Sequence, residues 1–181
     1  MSSPIAHLTA GYVIYTLSRT GSPQRELRQV GPFPGLLVFT VGLSLLPDID
    51  SVAGLLTDNF GRFHNNLTHS LFLGLGIAFT LGVLMHWRRG SGFWYWMTLA
   101  GLSYDLHVIM DWTTYGRGVM ALWPITAQRY PARVTLFYGL HWSDGLFSER
   151  HFITLATELG FAALVLFVLH RLRPRQVRGS T

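Results

Sequence analysis

The sequence predicts an all-α protein of the membrane: a polytopic helical bundle of about five helices, with a long loop region before the last helix. Three observations carry that prediction. Apolar runs alternate with short polar connectors, and 49% of the 181 residues are hydrophobic while only 13% are charged. The basic residues are all arginine and fall mostly in short clusters between the apolar runs, as they do in membrane proteins. One apolar run opens on Phe93-Trp94-Tyr95-Trp96, the composition of an interfacial aromatic belt. A chain of this length makes one domain, residues 1–181.

The elements follow in order. Ile5 to Leu17 reads as a first short helix, with small residues at Ala6, Ala10 and Gly11. A basic connector, Arg19 to Arg28, leads to a second apolar run, Gly35 to Leu46, opened by Pro34 and closed by Pro47. Both runs are shorter than the ~20 residues that a helix needs to cross the hydrocarbon core. Ser70 to Trp87 is a full-length span stopped by Arg88-Arg89-Gly90, and Phe93 to Trp112 is another. Thr113 to Glu149 is the long loop region; within it, Val134-Thr135-Leu136-Phe137 is expected as a short strand or as a lid. Phe152 to His170 is the last span, followed by a basic tail from Arg171 to Arg178.

With five crossings, the clusters Arg19/Arg25/Arg28, Arg88/Arg89 and Arg171/Arg173/Arg175/Arg178 share one side, the cytoplasmic one by the positive-inside rule. His7, Asp48, Asp50, His64, His69, His107 and Asp111 then gather on the outward side. No cleavable signal is expected at the N-terminus, which lacks a basic region. Nucleic acid is not expected as a partner, because the arginines do not interleave with aromatics along one face. The absence of cysteine excludes disulfides and thiolate-bound zinc, so a transition metal must be held by imidazole and carboxylate.

The gathered residues have ligand chemistry. His107 and Asp111 are four apart, so a helix puts them on one face, either as two ligands of one cation or as a hydrogen-bonded pair tying helices together. Asp48 and Asp50 follow Pro47; in an extended turn they point different ways, one to a metal and the other to orient a ligand or bridge, unless they are simply an Asp-rich turn. His64 and His69 flank the start of the third helix, which Thr68 or Ser70 is placed to cap. His7 stands alone near the N-terminus. Several imidazoles with two or three carboxylates suit zinc or another borderline divalent metal, and the number of candidate ligands leaves room for more than one ion. His141, Glu149 or His151 is a further candidate on the same side, whereas His86 and His170 read as interfacial. Arg117, Arg129 and Arg133 lie in the loop region, where an arginine can hold a phosphate bidentately or remain a solvated charge.

In order and spacing, His7, Leu46-Pro47-Asp48-Ile49-Asp50, His64 with Thr68-His69-Ser70, and His107 with Asp111 resemble the YdjM-like bacterial inner-membrane metal-dependent hydrolases. The likeness runs from about His7 to Leu122-Trp123-Pro124. It departs at Asn65-Asn66, where that family usually has Arg-Gly, and at Ser51, where it often has His. The set His7, Asp50, His64, His107 and Asp111 is also similar to the zinc-dependent phospholipase C and single-strand nuclease superfamily, all-helical enzymes with three zinc ions. The further His of their second metal has no counterpart after Asp111, where Arg117 stands.

These resemblances imply a multi-pass inner-membrane hydrolase with one to three divalent ions, zinc foremost. Its substrate would be a phosphoester of a lipid or lipid-linked molecule, with Asp48 or Asp50 as ligand or general base and membrane lipids as surroundings. The alternative is a non-catalytic metal-binding protein or a transporter. An ion relay should continue polar towards the cytoplasmic half, and Leu71 to Met85 and Phe93 to Leu102 offer little there. A bis-histidine haem is disfavoured by the carboxylate partners.

Overall fold

The computed structural model describes residues 2–21, 33–57, 63–89, 92–140 and 148–172. Arg25, Arg28, His141, Arg173, Arg175 and Arg178 lie outside these. Five main helices and no β-strand are present among the described residues: α1 (Pro4–Gly21), α2 (Phe33–Leu45), α4 (Leu71–Arg89), α5 (Phe93–Trp112) and α6 (Glu149–Leu172). A short α3 (Asp50–Leu56) continues α2 through a 3-10 turn, Leu46–Ile49.

Pro47 therefore does not close the second helix. It sits in the first turn of the 3-10 segment, where a missing N–H costs nothing, and the chain stays helical beyond it. This lengthens the apolar element to Gly35–Gly54, which, with Leu71–Arg89 and Glu149–Leu172, is long and apolar enough to cross a membrane by length and composition. Helix α5 has the length but not that composition, because its last turns carry Asp105, His107 and Asp111. It is the central helix, packed against α4, α2 and α1, and it buries Trp96, Leu99, Tyr104 and Val108 along with His107 and Asp111.

Apolar side chains outside the bundle face outward. On α4, Phe72, Leu75 and Phe79 are exposed, and on α6 Leu159, Leu164 and Phe167 are exposed. A contiguous apolar exterior of this kind is unfavourable in water and favourable in lipid. Inside, α1 approaches α2 closely at Gly11, where a Cβ would lie 2.8 Å from the Val41 backbone. Small residues at such crossings let helix backbones meet without a hydrophobic driving force between them.

All the polar ends of the helices lie together. The N-terminal end of α1, the C-terminal ends of α2 and α5 and the segment before α4 meet at one end of the bundle. The described cluster arginines Arg19, Arg88, Arg89 and Arg171 stand at the other ends of α1, α4 and α6. Residues 113–140 cover the polar end without forming a strand. Val119 pairs with Tyr130, and Thr114 pairs with Phe137, as isolated bridges. Phe137 is buried against Phe161 of α6, while Val134 and Leu136 are exposed. The segment is thus a cover anchored by one aromatic, in place of the expected strand.

Candidate metal centre

Each cluster residue is brought in by a different element. His107 and Asp111, one turn apart on α5, are buried together. Asp48 comes from the 3-10 turn and Asp50 begins α3. His64 and His69 lie in the segment before α4, whose first turn is capped by Ser70: its Oγ accepts the Leu73 N–H at 3.3 Å and donates to the Trp123 carbonyl. His7 stands one turn into α1. All seven predicted residues meet in one cluster.

Asp111 is its hub. Its Oδ2 lies 3.2 Å from His69 Nε2, 3.4 Å from His64 Nε2 and 3.9 Å from His107 Nε2. Its Oδ1 lies 3.4 Å from His7 Nε2 and accepts the Ser2 N–H and O–H at 2.8 and 2.7 Å. Asp48 Oδ1 faces the same space, 3.5 Å from His107 Nε2 and 3.7 Å from His69 Nε2. The two imidazole Nε2 atoms of His69 and His107 are 3.2 Å apart. A tetrahedral ion with bonds of about 2.0–2.1 Å separates its ligand atoms by roughly 3.4 Å. The spacings among Asp48, His69, His107 and Asp111 bracket that value, and these four could hold an ion. Asp50, His64 and His69 form a second such group, sharing His69.

The hydrogen bonds on the far side of each ring say which nitrogen faces the centre. His107 Nδ1 is 2.7 Å from the Ser44 carbonyl oxygen, which can only accept, so Nδ1 carries the hydrogen and Nε2 offers a lone pair. Asp50 does the same for two rings at once: its Oδ1 is 3.0 Å from His64 Nδ1 and its Oδ2 is 3.2 Å from His69 Nδ1. Thr68 Oγ1 donates to Asp50 Oδ2 at 2.7 Å, and Ser51 Oγ sits 2.9 Å from His64 Nδ1. Three Nε2 lone pairs and two carboxylate oxygens then converge. Asp48 Oδ1, Asp111 Oδ2 and His64 Nε2 are buried with no hydrogen-bond partner among the described residues. Buried polar atoms are ordinarily paired, and these are paired by one positive charge placed among them. The donor set, imidazole and carboxylate with carboxylate-oriented rings, fits a divalent metal such as zinc.

Burial disfavours the charged form of His64, but the Asp111 and Asp50 carboxylates outweigh it and raise the ring above its usual 6.5. His69 is likewise opposed by burial, yet Asp111, Asp48 and Asp50 lift it well above 6.5. Without metal, protons supply the positive charge that the carboxylates demand.

His7 differs from the other three. Its Nε2 meets Ser2 Oγ at 2.9 Å, and its ring stacks on His107 with centroids 3.5 Å apart. It thus backs the hub from the Oδ1 side. Glu149 and His151 belong to neither metal-holding group.

Four supporting residues escaped the sequence reading. Ser44 acts through its carbonyl, and Ser2 through its backbone and hydroxyl, so neither leaves a signal in composition. Thr68 was read only as a cap. Glu158 did leave one: it is a carboxylate within the apolar last helix, and such residues need a partner. It is fully buried and accepts the Ser3 N–H at 2.7 Å together with the Ser3 hydroxyl, next to the Ser2 that holds Asp111. Glu158→Leu, which leaves both Ser3 donors unpaired, is expected to cost about 1–3 kcal/mol. It should lower the thermal unfolding midpoint in detergent more than Glu158→Gln, which keeps an acceptor.

Fold and site together define an all-helical membrane protein with a buried His/Asp cluster that could hold a metal ion. Among known families, the model described as YdjM inner membrane protein matches residues 1–175, and the chain belongs to that family. No curated protein and no solved structure matches.

Proposed function

We propose that this protein is a membrane-bound, metal-dependent hydrolase that cleaves a phosphoester of a lipid or lipid-linked substrate. The reading rests above all on the convergence of His64, His69 and His107 Nε2 with Asp48 Oδ1 and Asp111 Oδ2, atoms that ask for a cation. His69, His107, Asp48 and Asp111 would hold one ion, and Asp50, His64 and His69 the position of a second, with His7 behind Asp111; zinc suits these donors best. Such an ion supplies a water activated near neutral pH and a counter-charge for phosphoryl oxygens. Asp48, whose side chain is 16% exposed where Asp111 is closed off, is placed to take a proton from the attacking water. Asp50 keeps two rings in the ligand tautomer. The order of these residues also supports distant kinship with the zinc-dependent phospholipase C and single-strand nuclease superfamily.

The test is metal analysis of the protein purified in detergent, followed by assay on phospholipid and on a p-nitrophenyl phosphodiester. One to three zinc ions and hydrolysis that is lost in His107→Ala are expected. Bound zinc without hydrolysis would leave the second reading, a non-catalytic metal-binding protein or transporter.

In this reading the chain is multi-pass in the bacterial inner membrane, with the cluster facing the periplasm and the arginine ends facing the cytoplasm. A chain without cysteine makes this easy to check. In intact spheroplasts, an impermeant thiol reagent is expected to label Val134→Cys, in the cover, and not Arg89→Cys, at the far end of α4.

A further inference from the structure

We infer that Arg117 and Arg129 form a subsite for a phosphoryl anion beside the metal centre. The position of the substrate rests on the hydrolase reading; the binding itself does not. The residues His64, Asn65 and Asn66 make a tight turn, with Asn65 in the left-handed region at φ 61°. Asparagine enters that region more readily than most side chains. The His64 ring goes inward to Asp111 and Asp50. The carbonyls of the turn go the other way, to two guanidinium groups.

Arg117 Nη2 donates to the His64 carbonyl. Arg129 Nη1 donates to the Asn65 carbonyl at 2.8 Å and to the Gly118 carbonyl at 3.2 Å, while its Nη2 donates to Asn66 Oδ1. The two arginines come from chain segments joined by the Val119–Tyr130 bridge. Gly118 permits that approach: its φ is 79°, and a Cβ there would lie 2.5 Å from the Tyr130 carbonyl. Both guanidiniums therefore sit on one turn, one residue apart along it. Every acceptor named is a neutral amide oxygen, and neither group forms an ion pair among the described residues.

Two cations side by side without an anion repel one another. Burial and the Arg117 charge both push the Arg129 guanidinium below its ordinary value. Asp50 is the carboxylate whose charge both feel, and it is occupied by His64, His69 and Thr68. A guanidinium fork matches the oxygens of phosphate and keeps N–H groups in reserve beyond those used on the turn. Because His64 contributes its ring to the centre and its carbonyl to Arg117, an oxyanion on the arginines lies against the metal-holding cluster. Arg133, exposed in the same loop, has no such anchoring to the turn.

The test uses the full chain in maltoside micelles and needs no turnover. Phenylglyoxal modification of each arginine is followed by mass spectrometry, with and without inorganic phosphate. Phosphate is expected to slow modification of Arg117 and Arg129 at least fivefold and to leave Arg133 unchanged. A second arm replaces part of the micelle lipid with phosphatidate; protection by phosphatidate alone identifies a lipid headgroup as the source, and protection by phosphate alone identifies a soluble anion. Equal rates at Arg117 and Arg129 in all arms overturn the subsite. Arg117→Gln/Arg129→Gln, whose amides can still donate to the turn, should keep bound zinc and bind phosphate at least tenfold more weakly; binding within twofold of the parent also overturns it. A protein that hydrolyses nothing yet shows protection keeps the subsite and loses the hydrolase reading, and the converse result separates them the other way.

Discussion

Asp111→Ala is expected to abolish metal binding. Asp111 Oδ2 is within 3.9 Å of three imidazole nitrogens, and its Oδ1 fixes Ser2 and, through it, His7. No other residue touches every other member of the cluster's histidine set. Loss of an outer partner of a metal ligand costs about 10–100-fold in affinity, so loss of the hub should exceed 100-fold. The metal-free protein should suffer as well. Removing one member of a buried charged set strands the others, at about 3–5 kcal/mol, and here His64, His69 and the Ser2 donors are left behind. Zinc content after purification and competition against a chelator read the first effect, and the thermal midpoint of the stripped protein reads the second. Asp105→Asn is the comparison: Asp105 is on the same helix but in neither metal-holding group, and it should keep its zinc. An Asp111→Ala protein that retains zinc at the parent's affinity would rule out the centre described here.

Much of this was legible in the chain. The apolar runs gave the helices because a run of that length has no other way to satisfy its backbone in lipid. The i, i+4 spacing of His107 and Asp111 gave their shared face, and the grouping of His and Asp away from the arginine clusters gave the polar end. Pro47 was misleading because a proline ends a helix only when it falls inside one; in the first turn of a new segment it is neutral, and the helix resumed at Asp50. That error carried over to the carboxylate pair. Placed in an extended turn, Asp48 and Asp50 differ only in direction. In the 3-10 turn and the following helix they differ in depth, so that Asp48 reaches the Nε2 side of the rings while Asp50 reaches the Nδ1 side. The division between a residue that meets the metal-holding space and one that orients two imidazoles depends on ring rotations, which no spacing encodes. The same holds for the arginines: three were visible, and only the left-handed turn at Asn65 singles out two.

Acidification should act in opposite directions on the metal-free and metal-loaded protein. In the metal-free state His64 and His69 titrate above their ordinary 6.5, because the carboxylates around them outweigh burial. A raised folded-state value means that the native state holds protons the unfolded chain has released. The stabilisation is therefore complete below about 6.5 and fades as pH rises through the higher folded values. The metal-loaded state reverses this. Both rings must surrender those protons before they can act as ligands, so metal binding releases protons and weakens as pH falls through the same range. Metal-loaded protein should gain stability with rising pH over the interval in which metal-free protein loses it, and the gap between their thermal midpoints should widen. Midpoints measured on zinc-loaded and chelator-stripped samples from pH 6 to 9 decide the matter, together with proton release on zinc addition compared in buffers of different ionisation enthalpy. Asp50→Asn sharpens the test. An amide can accept from one imidazole Nδ1–H but not from two, so one ring loses its enforced tautomer; zinc affinity should drop about 10–100-fold, and the metal-free slope above pH 6.5 should flatten. Parallel slopes for the loaded and stripped protein would mean that the imidazoles of His64 and His69 do not exchange protons for metal.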